Sequence, residues 1–255
     1  MRQRWPAKLW IVRHGQSAGN VARDAADAAG LGVIDVQMRD VDVPLSDLGH
    51  EQAEALGLWF ASLPDDERPE IVFASPYVRA RQTAKAVCEA GGVADSARKP
   101  VVDERLRERE FGTWDRLTTA GVKAKYPEQA EQRALLGKFY HRPPGGESWA
   151  DVILRLRGAL DTISLHHADR RVMIVCHQVV VLCLRYILEE MDEAEILAID
   201  REGDVVNCGV CEYDFLPEGD DRACAPQLVR YNFAAPLIEE KAQVTDAPDA
   251  MVAAR

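Results

Sequence analysis

The 255-residue sequence has few of the features typical of membrane-spanning, secreted or nucleotide-binding proteins. Its most apolar stretch, residues 172–188, is interrupted by polar and charged side chains such as Arg185, so it predicts a buried strand followed by a helix. The basic residues within positions 1–9 are not followed by the apolar core of a signal peptide, so we expect no secretory leader. Neither a Walker loop nor a GxGxxG dinucleotide motif is present.

Positive charge is scarce, because 31 Lys and Arg residues oppose 42 Asp and Glu residues and give a formal net charge of −11. This balance argues against general binding to nucleic acid or to an anionic membrane. Hydrophobic residues make up 47% of the chain and charged residues 29%, a composition typical of folded globular proteins. With six cysteines and no expected leader, we expect reduced thiols and a cytoplasmic location.

No group of cysteines and histidines has the sequence spacing of a metal site. Cys208 and Cys211 form a CxxC motif, but no second ligand pair is near, and on a strand the two side chains would point to opposite faces. His50 and Glu51 begin a motif like that of zinc proteases, but Glu54 stands where the second histidine is required. We therefore expect structural thiols, no metal and no other cofactor.

Short apolar runs alternate with helical patterns along the chain. The predicted strands are 8–12, 71–74, 101–106, 172–176, 205–216 and 227–233. The predicted helices are 47–63, 76–90, 148–166 and 178–190. Ser46 and Ser148 are suitable N-caps, and Pro76 is placed at a first helical position. This alternation predicts an α/β fold with a largely parallel sheet.

We expect one domain over residues 1–235, since no internal repeat is visible. Residues 21–43 and 114–146 interrupt the alternation and adjoin candidate site residues, so we expect these two insertions, together called the cap, to cover a pocket. Residues 236–255 are rich in Ala, Glu, Asp and Pro, and they predict a loosely ordered tail.

Side chains suited to phosphoryl chemistry follow four of the predicted strands. They are Arg13, His14, Arg79, Glu108 and His177. Each alone has an ordinary structural interpretation; Glu108, for example, lies in a charged run of the kind that usually faces solvent. In open α/β sheets, however, ligands bind at the carboxyl ends of the strands, so these side chains would meet at one edge.

The chemistry of phosphate explains why these residue types matter together. A phosphate monoester is close to a dianion, so its pocket needs several cationic donors even within an acidic protein. Arg13 and Arg79 can supply planar, two-pronged guanidinium donors. A histidine such as His14 can act as a nucleophile without a separate base, because an imidazole has an unperturbed pKa of about 6.5.

Six blocks of the sequence resemble, in order, the signatures of the histidine phosphatase superfamily, the phosphoglycerate mutase-like proteins. The blocks are LWIVRHGQSAGN (9–20), PLSDLGHEQA (44–53), SPYVRARQTA (75–84), LREREFG (106–112), PPGGES (143–148) and MIVCHQVVV (173–181). The resemblance covers residues 9–215. It implies a three-layer α/β/α sandwich with a mostly parallel mixed sheet.

The resemblance also implies catalytic roles. His14 would attack phosphorus and become a phosphohistidine, and His177 would be the second histidine that contacts the transferring oxygens. Glu108 matches the proton donor of the family, which would afterwards activate water. The neighbouring Glu110 stays open as an alternative acid.

A substrate-binding set is implied around the nucleophile. Asn20 matches a phosphate ligand of the family, although in a purely structural role it would cap a loop, and Ser17 lies in the same block. Gly15 fits a tight turn directly after the nucleophile. Gln178 follows the second histidine, where many members carry glycine. We expect these four residues to contact substrate.

The function expected from the resemblance is a metal-independent phosphatase that hydrolyses a phosphate monoester of a small molecule. Phosphoglycerate mutases carry histidine at the position of Glu110, and a second carboxylate there would repel a substrate carboxylate. A cofactor-dependent phosphoglycerate mutase and a catalytically silent phospholigand-binding protein stay open as alternatives. We expect no nucleic-acid or membrane partner, and the sequence leaves the oligomeric state open.

A substrate with two anionic groups also stays open. The PPGGES block and the Cys-His-Gln run locally resemble the bisphosphatase domain that acts on fructose 2,6-bisphosphate. Several arginines in or near the cap could bind a second anionic group. They are Arg107, Arg109, Arg116 and Arg142.

Overall fold

The computed structural model describes residues 5–94, 99–218 and 223–246. The strands of this part are β1 (Lys8–Arg13), β2 (Ile71–Ala74), β3 (Val101–Val102), β4 (Arg171–Cys176), β5 (Val210–Glu218) and β6 (Ala223–Phe233). They form one sheet in the order β3-β2-β4-β1-β5-β6. The pairs β1–β4, β2–β4 and β2–β3 are parallel, whereas β5 is antiparallel to β1 and to β6. The predicted α/β fold with a mixed sheet is confirmed.

Helices cover both faces of this sheet. They are α1 (Ala18–Ala28), α2 (Asp47–Ala61), α3 (Val78–Glu89), α4 (Thr119–Lys125), α5 (Pro127–Tyr140), α6 (Trp149–His166), α7 (Gln178–Leu188), α8 (Glu193–Glu202) and α9 (Ala235–Glu239). Within the described ranges, none of these helices combines the length and the apolarity that a bilayer crossing requires.

Alternate side chains of the central strands enter two separate cores. Leu9 and Ile174 pack with residues of α6 and α7, whereas Trp10 and Val175 pack with residues of α2, α3 and α9. All four of these side chains are buried. Because period-two alternation sends neighbouring residues to opposite faces, a continuously apolar strand needs cover on both sides. The helices on each face supply that cover and complete the three layers.

Helix starts follow the predicted caps in two cases and depart from them in a third. Ser46 accepts a hydrogen bond from the Gly49 amide at the start of α2, and Ser148 forms a capping box with Asp151 at the start of α6. The prediction that Pro76 begins a helix is wrong. Tyr77 has extended backbone angles, φ −66° and ψ 139°, so α3 begins only at Val78.

Three predicted strands have other bounds. The strand expected over 101–106 ends at Val102, because Asp103 caps a 3-10 turn by accepting a hydrogen bond from the Arg105 amide. The strand expected over 205–216 begins only at Val210, after Cys208 turns with a φ of 56°. The strand expected over 227–233 is longer, because β6 pairs with β5 from Ala223 onward.

The two insertions of the cap contact each other. The Ile34 amide donates to the Arg116 carbonyl at 2.9 Å, and the Thr118 amide donates to the Gly32 carbonyl at 3.1 Å. A Cβ atom on Gly121 would lie 1.8 Å from the Gly32 oxygen, so only glycine permits this approach. A small separate core supports the second insertion. It consists of Phe111, Trp114, Leu117 and Val122.

The chain after residue 235 packs against the rest of the fold, although a loosely ordered tail is predicted from residue 236. Leu237 of α9 is fully buried in the core shared with α2 and α3. Gln52 donates to the Gln243 carbonyl at 2.7 Å and to the Thr245 hydroxyl at 2.8 Å. Residues 236–246 are therefore part of the folded body, and the rest of the predicted tail, 247–255, lies outside the described residues.

Candidate active site

His14 directly follows β1 and is fully buried. Its amide donates to the Cys176 carbonyl at 3.0 Å, which ties it to the end of β4. Its Nδ1 lies 2.6 Å from the Gly15 carbonyl oxygen. Because a carbonyl only accepts, Nδ1 carries the proton and Nε2 keeps its lone pair. This is the tautomer that a nucleophilic Nε2 requires.

His177 follows β4 directly and is the residue before the first turn of α7, and its ring lies beside that of His14. The two ring centroids are 5.2 Å apart at an angle of 66°. The Nε2 atom of His177 lies 2.7 Å from the Ser75 hydroxyl, which follows β2. Three neighbouring strands therefore bring these side chains to one edge of the sheet, as the sequence predicts.

Arg79, near the start of α3, points its guanidinium at His14, the candidate nucleophile. Its Nε donates to the Nε2 atom of His14 at 3.1 Å. Arg13, the last residue of β1, is also buried, and its Nη1 donates to the Val205 carbonyl. We call Arg13, His14, Arg79 and His177 together the phosphate centre, after the role proposed for them below. Its two buried guanidinium groups carry positive charge of the kind that a phosphate dianion needs.

Asp40 is a partner of Arg79 that sequence reasoning missed. It lies in the 3-10 turn Asp40–Asp42 of the cap. Its carboxylate accepts hydrogen bonds from Nη1 and Nη2 of Arg79 at 3.0 and 3.2 Å. No motif marks this residue in the sequence, since its position depends on how the first insertion folds back over α3.

Tyr77 is a second residue that the sequence did not single out. Its ring centroid lies 4.9 Å from the guanidinium carbon of Arg79 and 5.0 Å from the ring centroid of His177. Its hydroxyl donates to Glu110 at 3.0 Å. Burial, followed by the charges of Asp40 and Glu110, raises the pKa of this tyrosine, so it stays neutral. Tyr77 thus packs between two members of the phosphate centre.

The two candidate acids have different surroundings. Glu108 is 1% exposed, and its Oε1 accepts a hydrogen bond from the Arg109 amide at 2.8 Å. Glu110 is exposed and its carboxylate is bound to Tyr77. A buried carboxyl is the better suited of the two to hold a proton for a leaving group.

The predicted substrate-binding residues near the nucleophile make contacts within the protein. Ser17 and Asn20 form the capping box of α1, with the Ser17 amide 2.8 Å from the Asn20 side-chain oxygen. Gly15 has no left-handed backbone; glycine is needed because a Cβ atom would lie 2.4 Å from the Gly49 oxygen. Its amide donates to the Thr83 hydroxyl at 3.1 Å. The tight-turn explanation of Gly15 is therefore replaced by a close approach of two backbones.

Gln178 begins α7 and is 2% exposed. Its side-chain nitrogen donates to the Asp204 carboxylate at 2.5 Å. Asp204 was not identified from the sequence, because it lies in a loop without a local pattern. The contact orients the amide of Gln178 beside the second histidine.

A relay of polar groups supports the backbone of His14. The Asn207 side chain donates to the His14 carbonyl at 3.1 Å. The Thr245 hydroxyl donates to the Asn207 side-chain oxygen at 2.9 Å and accepts from Gln52 at 2.8 Å. Residues that are distant in the sequence thus fix the peptide that carries the His14 imidazole.

The four arginines expected to bind a second anion are engaged within the protein. Arg107 and Arg142 form ion pairs with Glu147 and Asp151. Arg109 is buried and donates to the backbone carbonyls of Glu147 and His141 at 2.6 and 3.2 Å. Arg116 donates to a backbone carbonyl of the first insertion at 3.1 Å. These contacts argue against a preformed second anion site made of these four side chains.

His141 stacks on Trp114, with ring centroids 4.8 Å apart. Burial, followed by the positive charges of Arg133 and Arg109, lowers the pKa of His141 to about 4. The imidazole is therefore neutral at neutral pH and belongs to the support of the cap.

The cysteines with described side chains are free thiols. Cys208 and Cys211 lie in different cores, on opposite sides of the sheet, and burial raises the pKa of both thiols. They are buried packing groups. In the parts of the chain that the structure covers, no three or more His, Cys, Asp or Glu side chains converge as metal ligands would.

Comparison with known proteins identifies the family of this chain. The family model of the histidine phosphatase superfamily (branch 1) matches residues 9–221. The 2,3-bisphosphoglycerate-dependent phosphoglycerate mutase 2 of Gloeobacter violaceus is 33% identical over 192 residues, which cover 73% of this chain and 76% of the mutase. The 6-phosphofructo-2-kinase/fructose-2,6-bisphosphatase of Caenorhabditis elegans is 30% identical over 200 residues, 76% of this chain but only 37% of that protein.

A solved structure shares the fold over nearly the whole chain. The mycobacterial glucosyl-3-phosphoglycerate phosphatase superimposes with a TM-score of 0.67 at 26% identity, covering 91% of this chain and 100% of that one. The proteins that this chain resembles thus include both phosphatases and mutases. The extent of the family match, together with the two histidines and two arginines at one sheet edge, establishes that the chain belongs to the histidine phosphatase superfamily.

Proposed function

We propose that this protein is a metal-independent phosphatase that hydrolyses a phosphate monoester of a small molecule through a phosphohistidine on His14. The observation that carries the proposal is the hydrogen bond from Nδ1 of His14 to the Gly15 carbonyl at 2.6 Å. It leaves the Nε2 lone pair facing Arg79, beside the ring of His177. A binding protein would need the cations but not an imidazole held in its nucleophilic tautomer.

The first step transfers the phosphoryl group to the protein. The Nε2 atom of His14 attacks phosphorus in line with the ester oxygen; a P–N bond forms and the P–O bond to the leaving group breaks. The electron pair of that bond goes to the leaving oxygen, which takes a proton from Glu108. Arg13, Arg79 and His177 contact the equatorial oxygens, where negative charge spreads in the transition state.

The second step releases the phosphoryl group to water. The Glu108 carboxylate takes a proton from a water molecule, whose oxygen attacks phosphorus. A P–O bond forms, the P–N bond breaks and His14 recovers its lone pair. Inorganic phosphate leaves, and Glu108 is again protonated for the next cycle. The burial of this carboxyl, which is 1% exposed, supports its assignment to both steps.

The decisive experiment is a hydrolysis screen over phosphorylated sugars, glycerates, nucleotides and phosphopeptides, run beside His14→Ala. Phosphate release by the native protein alone would support the proposal. Brief incubation with labelled substrate followed by an alkaline quench should leave acid-labile label on His14. Label on a cysteine or serine instead would contradict the phosphohistidine mechanism.

A phosphoglycerate mutase is the second candidate, because the chain is 33% identical to a phosphoglycerate mutase over 192 residues. A mutase must keep a sugar acid bound for as long as the phosphohistidine exists. This requires cationic side chains that bind the carboxylate of the sugar acid. Arg107 and Arg142 are already paired with carboxylates, which supports hydrolysis. Supplying 3-phosphoglycerate with a trace of 2,3-bisphosphoglycerate separates the two: formation of 2-phosphoglycerate much faster than phosphate release would favour the mutase.

The proposed reaction takes its positive charge from side chains. The burial of Arg13 and Arg79 supports this assignment, and we therefore expect hydrolysis to survive chelation. The measurement is the rate in excess EDTA; loss of turnover that Mg²⁺ or Zn²⁺ restores would contradict it. Buried free thiols support a cytoplasmic location as part of the same proposal.

A further inference from the structure

Asp40 binds Arg79 in the way that a phosphate would. The Nη1 atom of Arg79 donates to the Asp40 backbone carbonyl at 2.7 Å and to Oδ1 at 3.0 Å, and Nη2 donates to Oδ2 at 3.2 Å. The two outer guanidinium nitrogens therefore face the two oxygens of one carboxylate. Arginine uses the same paired donors to bind the oxygens of a phosphate.

The third guanidinium nitrogen faces the nucleophile. The Nε atom of Arg79 lies 3.1 Å from the Nε2 atom of His14. A phosphoryl group that reaches His14 therefore meets an arginine whose outer nitrogens are bound to a carboxylate. Asp40 occupies the two outer nitrogens of this guanidinium, so a phosphate that binds the same two nitrogens must exchange with Asp40.

Asp40 is the partner that can move. The side chain of Arg79 is 1% exposed and is held within the start of α3, whereas the side chain of Asp40 is 28% exposed. Asp40 lies on a three-residue 3-10 turn of the cap, outside the two main cores. Release of the carboxylate into solvent needs only a local change in this turn.

We propose that Asp40 is an internal competitor for the phosphate site: its carboxylate returns to Arg79 as inorganic phosphate leaves, and it thereby speeds product release. This inference rests on the proposed function, since it concerns the product of that reaction. A ligand anion that binds these two nitrogens must displace the carboxylate, which lowers the affinity for substrate and for product alike. Asp40 thus lowers the affinity for phosphate and makes its release faster.

The test compares Asp40→Asn with Asp42→Asn. Asp42 lies in the same turn, but its carboxylate pairs with Arg39 at 2.7 Å. Both variants lose one negative charge, so a general gain in attraction for anions appears in both. Inorganic phosphate is the probe, measured by calorimetric titration and as a competitive inhibitor of p-nitrophenyl phosphate hydrolysis. Asp40→Ala, which also removes the side-chain acceptor, serves as a second variant, and thermal melting confirms that each variant folds.

We expect Asp40→Asn and Asp40→Ala to bind inorganic phosphate about tenfold more tightly than Asp42→Asn, with KM lowered similarly. Faster chemistry than product release should then appear as a burst in the first turnover. Unchanged or weaker phosphate affinity would overturn the inference and would show that Asp40 orients Arg79. Failure of the native protein to bind phosphate at all would instead contradict the phosphate site, and with it the proposed function.

Discussion

The phosphate centre and the cap meet where Arg79 binds Asp40, and they are built differently. His14 and His177 follow β1 and β4, two central strands whose side chains are buried in a core on each face. The cap rests on a four-residue core and on backbone hydrogen bonds between its two insertions. The candidate catalytic residues thus follow strands that are packed on both faces, whereas Asp40 lies on a short turn outside the two main cores, as its proposed exchange with ligand requires.

The largest effect is expected from removing the nucleophile at the phosphate centre. His14→Ala should lower kcat by about 10⁴-fold or more, because the remaining cations bind the ester but no group attacks phosphorus. The rate of phosphate release from p-nitrophenyl phosphate is the measurement. His50→Ala, which changes an exposed histidine of α2, is the control and should keep full activity. Retention of more than about a tenth of the activity in His14→Ala would contradict the proposed role.

A somewhat smaller loss of kcat is expected from removing the proton donor, and it distinguishes Glu108 from Glu110. Glu108→Gln should lower kcat on alkyl phosphates by about 10²- to 10⁴-fold, since the leaving alkoxide no longer receives a proton. The loss should be much smaller on p-nitrophenyl phosphate, whose leaving group departs without one. Glu110→Gln is the matched control and should change kcat little on either substrate. The reverse order of the two variants would make Glu110 the acid.

Substituting one leucine in each core compares the core beside α7 with the small core of the cap. Leu156→Ala in the core beside α7 should lower the free energy of unfolding by about 2–5 kcal/mol, because it leaves a cavity between packed helices and strands. Leu117→Ala in the cap core should raise KM while lowering the global unfolding free energy less, since the cap can open locally. Denaturant unfolding and steady-state kinetics measure both. Equal losses of stability with KM unchanged would show that the cap unfolds only with the rest.

The smallest expected effect is a change in how far acidic pH lowers the stability of the fold. The pKa of His141 is lowered to about 4, whereas an unfolded histidine has a pKa of about 6.5. The unfolded chain therefore binds a proton that the folded chain does not, so this stabilising contribution is full above about pH 6.5 and is lost as the pH falls toward 4. His141→Phe keeps a ring stacked on Trp114. The melting temperature of this variant should fall less between pH 7 and pH 4.5 than that of the native protein. His50→Ala should lose as much as the native protein; equal losses in all three would contradict the prediction.

Much of the sheet edge could be predicted from the sequence, because the apolar runs of β1 and β4 end abruptly at Arg13-His14 and at His177. A buried strand that stops at a polar residue leaves little freedom in where that side chain lies. The starts of α2 and α6 were equally predictable, since Ser46 and Ser148 satisfy local backbone donors.

Contacts made by the loops and the cap could not be predicted, because no local pattern encodes them. Asp40 meets Arg79 only after the first insertion folds back, and Asp204 meets Gln178 only after α8 ends. Local rules also misled at Pro76, where Tyr77 adopts extended angles although proline suits a helix start. At Gly15 the rule named the correct residue for the wrong cause, since the constraint is the backbone of Gly49.

The relay from Thr245 through Asn207 to the His14 carbonyl links the segment 236–246 to the peptide of the candidate nucleophile. A comparison of related sequences that considered only the residues at the ends of β1 and β4 would miss this segment, because Thr245 acts through the backbone of His14 and not through a side chain beside it. A truncation or fusion that undocks Thr245 should therefore disturb the position of His14, although the change lies far from it in the sequence.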